Sequence, residues 1–580
     1  MKKIALSFIT LFLIGFSSFA QTYITNVTVV DVINQNLIPN QNVVITGENI
    51  SDIHSYFTKR MIPADAVVID GTGKYLMPGL TDAHIHFFQN GGLYTRPDAI
   101  DLRKHISYQD EIKYSYDKME ETLHRYLQNG ITNVVDVGAT YHFLNHRKSF
   151  SNKNDIPSIQ MTGPLLTTYL PEVYKDLGDN EPFKLVQSKE DGIAMVQEQL
   201  KYKPDFIKIW YITQKDSNGY ENHARKNLPI IQAIIKEAHQ NKLKVAVHAT
   251  QRITAQLAVE SGCDFLVHSV DDELITTDFV ELLKEKKTIL CPTLIVHAGY
   301  MNTFGQRLNF SNHELHNADP YQLGSLLDLK HLSDTALIQG YKSNANSSQR
   351  MHHLHKSDSI SMANLKILND AGVTIATGTD AGNIGTLHAS SYLNELLAME
   401  NAGMNNWQIV QASTLNGAKI LDKSDEFGSI NIGKKANLIL LDKNPIESIK
   451  NITSINRVIN NGSVYEQQDL IKDSPSDLAQ RQLNAYNLRN IEAFLEPYAD
   501  DVEVYNYPNE LRYTGKEKMR EGYSKMFKNT PNLHCELVAR IAQGNVVIDQ
   551  ERVQFGENVI EATAIYHIEK GKIQKVFFIR

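Results

Sequence analysis

The spacing of apolar positions changes three times along this chain. Between residues 23 and 80 they form short runs with strand texture (24–31, 41–46 and 66–70), separated by turns rich in Asn and Gly. Residues 21–80 are therefore expected to form a small antiparallel β layer. From residue 81 to 424 the texture becomes alternating. The strand that ends in His84 and His86 is followed by apolar runs at 131–137, 158–162, 206–210, 244–249, 265–269, 288–294 and 373–379. Between them lie amphipathic stretches at 110–127, 192–202, 228–241, 253–261, 278–286 and 357–371. Eight strands, most of them followed by helix, predict an α/β fold with a (β/α)8 TIM-type barrel. A doubly wound open sheet is the competing topology, but no Gly-x-Gly-x-x-Gly turn supports its dinucleotide-binding version. The stretch 297–356, rich in His, Asn and Ser, reads as an insertion on the ligand side of the barrel, a partly helical lid.

Short strands return at 425–468. They are expected to pair with the N-terminal ones, giving a composite β-sandwich domain built from both flanks of the barrel. A polar linker at 469–477 then leads to an independent α+β unit at 478–580. That unit reads as one helix over 478–495, a second over 516–527 and at least three alternating strands.

Composition narrows the function. The net charge of −8 and the lack of any Lys/Arg-rich run exclude nucleic acid as a natural partner. Lys2 and Lys3 precede an apolar run at 4–16 and then Ser17, Ser18, Phe19 and Ala20, the pattern of a signal peptide cleaved before Gln21. The apolar run is shorter than the roughly 20 residues a spanning helix needs. The mature chain is therefore expected to be exported, periplasmic or extracellular, without a stable membrane anchor. Cys263, Cys291 and Cys535 are odd in number and scattered, so buried free thiols are expected.

Candidate chemistry sits at strand ends. His84 and His86 share one face of a strand, because alternate side chains point the same way. Lys208 shares a face with Phe206 and Trp210, while His248, His268 and Asp380 close three later strands. Taken singly, a core histidine, a lysine reaching the rim or an aspartate in a turn explains each of them. Five strands that each end in a residue able to hold a metal favour a metal site.

These residues fall in stretches with a familiar pattern. Residues 78–86 read Pro-Gly-Leu-Thr-Asp-Ala-His-Ile-His, 205–208 Asp-Phe-Ile-Lys, 267–269 Val-His-Ser and 377–383 Thr-Gly-Thr-Asp-Ala-Gly-Asn. Val247 precedes His248, and Gly-Ser-Ile at 428–430 is followed by Gly-Lys-Lys-Ala at 433–436. Over residues 23–465 the chain resembles the amidohydrolase superfamily, in particular its imidazolonepropionase-like and prolidase-like members. The resemblance implies that His84, His86 and Asp380 bind one divalent metal, His248 and His268 a second, and Lys208, carbamylated by CO2, bridges both. The ions implied are most simply Zn2+, and Asp380 is implied as the acid–base group. The expected activity is hydrolysis of an amide, cyclic amide or dipeptide-like C–N bond in a small-molecule substrate. A lactonase or phosphotriesterase on the same site, or a non-catalytic periplasmic binding protein, is the alternative. Homo-oligomerisation is left open. Lys208 argues against a single-metal imidazolonepropionase, and Asn437 stands where the pattern has Asp. His388 matches a histidine given either a supporting or a purely structural role. Tyr94, Arg96, Tyr211 and His297 lie in loops expected to overlook the site.

Residues 477–580 resemble SnoaL-like, nuclear-transport-factor-like cone domains through 485–494 and 498–505. Asp501, His534 and Asp549 are that domain's candidate polar groups, and an accessory role is favoured over catalysis.

Overall fold

The structure, a computed structural model, describes residues 21–217 and 219–579; the expected signal peptide lies outside the described residues. Among those residues no helix is long and apolar enough to cross a membrane. The two flanks meet in one eight-stranded sheet. Its order runs Ser463–Tyr465, Ile455–Asn460, Leu438–Leu441, Tyr75–Pro78, Gln21–Asp31, Asn36–Thr46 and Asn49–Ser55, with Val67–Asp70 added to Gln21–Asp31. The join is antiparallel, with Leu440 opposite Leu76 and Leu438 opposite Pro78. Buried Ile24, Val29, Val43, Ile45, Leu76, Leu438 and Ile459 supply the common core that rewards it. The layer differs from the expected antiparallel one in being mixed, because Gln21–Asp31 pairs in parallel with both Val67–Asp70 and Tyr75–Pro78.

The central region is parallel, as its near-continuous apolar strands require. Leu80–Ile85, Ile131–Asp136 and Ser158–Met161 form one sheet. Phe183–Leu185, Leu165–Thr167, Phe206–Trp210, Lys244–His248, Phe265–Val267 and Ile289–Cys291 form another. The ladder is thus not one continuous eight-stranded ring. Between 158–162 and the helix expected at 192–202, which forms as Lys189–Leu200, the chain adds two short strands, Leu165–Thr167 and Phe183–Leu185. The segment 373–379 forms no regular strand. It bridges the two sheets through Ala376 N to Leu290 O (2.8 Å) and Ala83 N to Thr377 O (2.9 Å). Gly378 and the left-handed Asp380 (φ 57°) interrupt its pleat. At the other seam Asp205 N donates to Met161 O (3.0 Å), and the Asp205 carboxylate accepts from Met161 N (2.8 Å). The stretch 110–127 is divided at Lys118 into Tyr108–Asp117 and Met119–Gln128.

The insertion is built from helices joined by short loops: Val296–Phe304, Asn312–Asn317, Pro320–Ser325, Thr335–Ala345 and Ser348–Asp370, the last running across its expected end at 356. The C-terminal unit carries a six-stranded sheet ordered Glu510–Thr514, Tyr498–Asn506, Lys572–Ile579, Asn558–Glu569, Val546–Phe555 and His534–Gln543. Its first helix is two, Pro475–Leu488 and Ile491–Leu495, separated at left-handed Arg489. Ser474 caps the first in a capping box with Asp477, so the expected linker ends inside ordered structure. This unit is docked on the insertion: Arg481 Nη1 donates to Leu315 O (2.8 Å), Asn484 Nδ2 to Pro320 O (2.6 Å), and His331 meets His534 at 2.9 Å.

Candidate metal centre

Three donor atoms converge at the end of the Leu80–Ile85 strand. His84 Nε2 and His86 Nε2 lie 3.1 and 3.0 Å from Asp380 Oδ1 and 3.3 Å from each other. Asp380 reaches them because its backbone N–H donates to His84 O (2.7 Å) while His86 N donates to Ala381 O (2.9 Å). Gly378 permits that approach, since a Cβ there would fall 2.4 Å from Cys291 Sγ and 2.7 Å from His84 N. Burial, then Lys208 and His86, pushes the His84 imidazole down to about 4, leaving it a neutral donor. Burial acts to raise Asp380, but the two imidazoles hold its carboxyl well below the usual range.

His248 and His268 face this triad, their ring centroids 4.4 Å apart, and His268 lies 5.0 Å from the ring of His84. Burial holds both well below the ordinary histidine range. Lys208 is only 1% exposed, and burial lowers its ammonium to about 7. A cavity of about 290 Å³ is lined by all six residues together with Arg96, Trp210, His297 and Tyr300. Lys208 Nζ, buried against it, has no hydrogen-bond partner, and Asp380 Oδ1 has none beyond its close approach to the two imidazole nitrogens. Buried polar atoms are rarely left so, and these are of the types that bind a cation or, for a neutral amine, take up CO2. The donor set therefore fits a metal centre, and His84, His86 and Asp380 by themselves form a group able to hold one ion. A larger cavity, about 730 Å³, opens beside Asn312, Arg481 and Glu496. Among the described residues it brings no such group of donors together.

Outer partners brace the site. His86 Nδ1 faces Gly138 O at 3.2 Å and Asp136 at 3.9 Å, which orients Nε2 inward. Asp82 accepts from Thr379 N (3.0 Å) and Thr379 Oγ1 (2.7 Å), tying the histidine strand to the segment that carries Asp380. The signal available for Asp82 is the two-residue period that places it on the face of His84 and His86. Glu395 accepts from Leu294 N (2.9 Å) and Ile295 N (3.2 Å), and no local pattern announces it.

Of the loop residues, Arg96 and His297 do line the cavity. Tyr94 does not line the cavity; its hydroxyl donates to Asp328 (2.8 Å) and its ring packs with the insertion. Tyr211 is likewise structural, buried with its hydroxyl on Ala224 O (2.6 Å). His388 is buried beside the histidine strand, with Nε2 on Gln89 O (2.8 Å), Nδ1 on Tyr126 Oη (2.8 Å) and its ring stacked on Phe87 at 5.6 Å. In the C-terminal unit Asp549 is paired with Arg540 (2.7 Å), Asp501 accepts from Gln574 (2.7 Å) and His534 contacts His331. All three cysteines are free and buried.

Residues 75–465 match the amidohydrolase family model and residues 479–576 that of the SnoaL-like domain. The chain belongs to the amidohydrolase family and carries a SnoaL-like domain at its C-terminal end. Among curated proteins it is similar to imidazolonepropionase of Bacteroides fragilis, 30% identical over 99 residues, or 17% of this chain and 24% of that protein. It is also similar to 5-methylthioadenosine/S-adenosylhomocysteine deaminase of Teredinibacter turnerae, 32% identical over 87 residues, or 14% and 20% of the two chains. The matched segments thus span about a quarter or less of these relatives' length. Among solved structures a Xaa-Pro dipeptidase with bound methionine in the active site is 21% identical, with a TM-score of 0.58 over 77% of this chain and 100% of that one. Ochratoxinase of A. niger is 20% identical, with a TM-score of 0.58 over 77% and 96%. These likenesses concern the fold, a TIM-barrel type core.

Proposed function

We propose that this chain is an exported metal-dependent hydrolase that cleaves an amide, cyclic amide or dipeptide-like C–N bond in a small molecule. The supporting observation is the convergence of His84, His86, Lys208, His248, His268 and Asp380 on one cavity, with the buried Lys208 Nζ left without a hydrogen-bond partner. In this reading His84, His86 and Asp380 hold one divalent ion and His248 and His268 a second. Segment 373–379 completes a (β/α)8 barrel around them. Lys208, lowered by burial to about 7, has the neutral amine that CO2 requires, and its carbamate would add an oxygen donor to those of the histidines and Asp380. Two zinc ions held there would polarise the scissile carbonyl and acidify the attacking water. Asp380 takes the proton of that water and returns it to the leaving nitrogen. His86, fixed through Gly138 O and Asp136, keeps its donor nitrogen turned toward Asp380. The dipeptidase and imidazolonepropionase names among its relatives favour a C–N bond over an ester.

The test is metal content by plasma mass spectrometry, intact mass for a carbamate on Lys208, and assay on amide, lactone and phosphotriester panels. Bound divalent metal, a carbamate and amide hydrolysis lost in His248→Ala are expected. A metal-free protein, or full activity in His248→Ala, overturns the proposal.

A further inference from the structure

The same cavity holds a second set of polar groups that the hydrolytic reading leaves unused. Asp271, just beyond the Phe265–Val267 strand, and Asp358, on the Ser348–Asp370 helix, both line it. Among the described residues neither carboxylate belongs to an ion pair. The charged groups that bear on them are Asp272 and His353 beside Asp271, His297 and His355 beside Asp358, and Asp358 itself acting on Asp271. Burial raises both, Asp271 to about 6, as expected of carboxyls drawn out of water without a cation. An independent sign is Ser269, next to His268 in the chain, which lines the same cavity. It is 5% exposed, and its hydroxyl has no hydrogen-bond partner.

The remaining wall decides the sign of the missing partner. Arg96, the arginine of this cavity, is occupied by Asp98 through two bonds of 2.8 and 2.7 Å, with Asn383 on its third nitrogen. It is not free to receive an anion. Phe88, Leu165, Phe183 and Trp210 supply apolar and aromatic surface, which suits a methylene stem and the face-on approach of a cation.

Building on the hydrolase reading, we propose that the substrate carries a primary ammonium or guanidinium group on an apolar stem. Asp271 and Asp358 receive that cation and the Ser269 hydroxyl oxygen accepts a hydrogen bond from one of its N–H groups. The metal-type residues and the acidic pair then engage opposite ends of one molecule, which sets its register in the cavity.

Calorimetric titration of the full-length, metal-loaded protein with n-hexylammonium and with the neutral isostere n-hexanol tests the binding half without catalysis. The cation is expected to bind at least about tenfold more tightly, the scale of one charge-assisted contact, and to lose that advantage in the Asp271→Asn/Asp358→Asn double variant. Asn keeps the shape of each side chain, and thermal melting checks that the variant folds. Equal affinity for the two probes, or an unchanged advantage in the folded variant, overturns the proposal. In the catalytic half, dipeptides ending in lysine and in norleucine are compared by kcat/KM. A preference for lysine that collapses in the double variant supports the cation site. Cleavage of both without preference overturns it while leaving the hydrolase reading intact. Selective hexylammonium binding without cleavage of any C–N substrate supports the cation site and refutes the hydrolase reading.

Discussion

Asp380 and His268 both adopt left-handed backbone, φ 57° and 78°, in a region that costs a residue with a Cβ on the order of 1–3 kcal/mol. Both are among the proposed ligands, and each is held by a backbone bond to a neighbouring strand segment: Asp380 N to His84 O and His268 N to Cys291 O (2.8 Å). Stability given up for geometry should be recoverable. Asp380→Gly is expected to unfold at higher urea than Asp380→Ala by about 1 kcal/mol, with both variants inactive. Elsewhere, Glu551 is buried in the C-terminal unit, where it accepts from Tyr566 Oη (3.2 Å). Burial and Asp549 raise it from 4.5 to about 7. A carboxyl raised in the folded state binds its proton more tightly there than when unfolded. Its contribution is therefore fully present below about pH 4.5 and is lost as pH rises through about 7. The loss is on the order of 3 kcal/mol. Urea midpoints between pH 4.5 and 8 should fall more steeply in the parent protein than in Glu551→Gln, which keeps the hydroxyl's acceptor.

The segment 373–379 sets the site at the level of elements. It lacks the pairing of a full strand, yet Asp82, Thr379 and the close approach at Gly378 hold it against the histidine strand. A methyl group at 378 would meet Cys291 Sγ and the His84 backbone, neither of which is the free end of a flexible chain. Gly378→Ala is expected to cost about 1–3 kcal/mol by overpacking. It should also displace Asp380, so that bound metal falls along with activity; retained metal at full occupancy would contradict this account. The alternation of apolar runs announces most of the central strands to within a few residues. It misses Leu165–Thr167 and Phe183–Leu185, because three-residue pieces carry too little periodicity to stand out. It also overstates 373–379, whose apolar residues are buried without a regular ladder.

At the scale of the whole molecule, the C-terminal unit grips the insertion that roofs the cavity. Arg481, 5% exposed, bonds Leu315 O and holds Asp473 through two contacts of 2.7 and 3.0 Å. The Val296–Phe304 helix, which brings His297 and Tyr300 to the cavity, belongs to that same insertion. Arg481→Ala leaves a buried acceptor and a half-buried carboxylate unpaired, a loss of up to about 3–5 kcal/mol. Calorimetry should then show the C-terminal unit melting apart from the rest of the chain. A single unshifted transition would mean the docking is held by other contacts.

Sequence alone made legible the alternating strands and helices, the short-strand texture of both flanks and the His, Lys and Asp that close the strands, because runs of apolar residues and the residues that end them are local patterns. Tertiary structure alone decided which side chains meet. Arg96 finds Asn383 and Asp98, Tyr94 turns away to Asp328, and Asp82 reaches Thr379. Asp271 and Asp358 likewise come to one cavity from separate elements. The physical reason is that such pairings depend on how helices and loops close over a sheet. Burial then makes each unpaired charge costly enough to demand a partner, and no spacing along the chain encodes which one it will be.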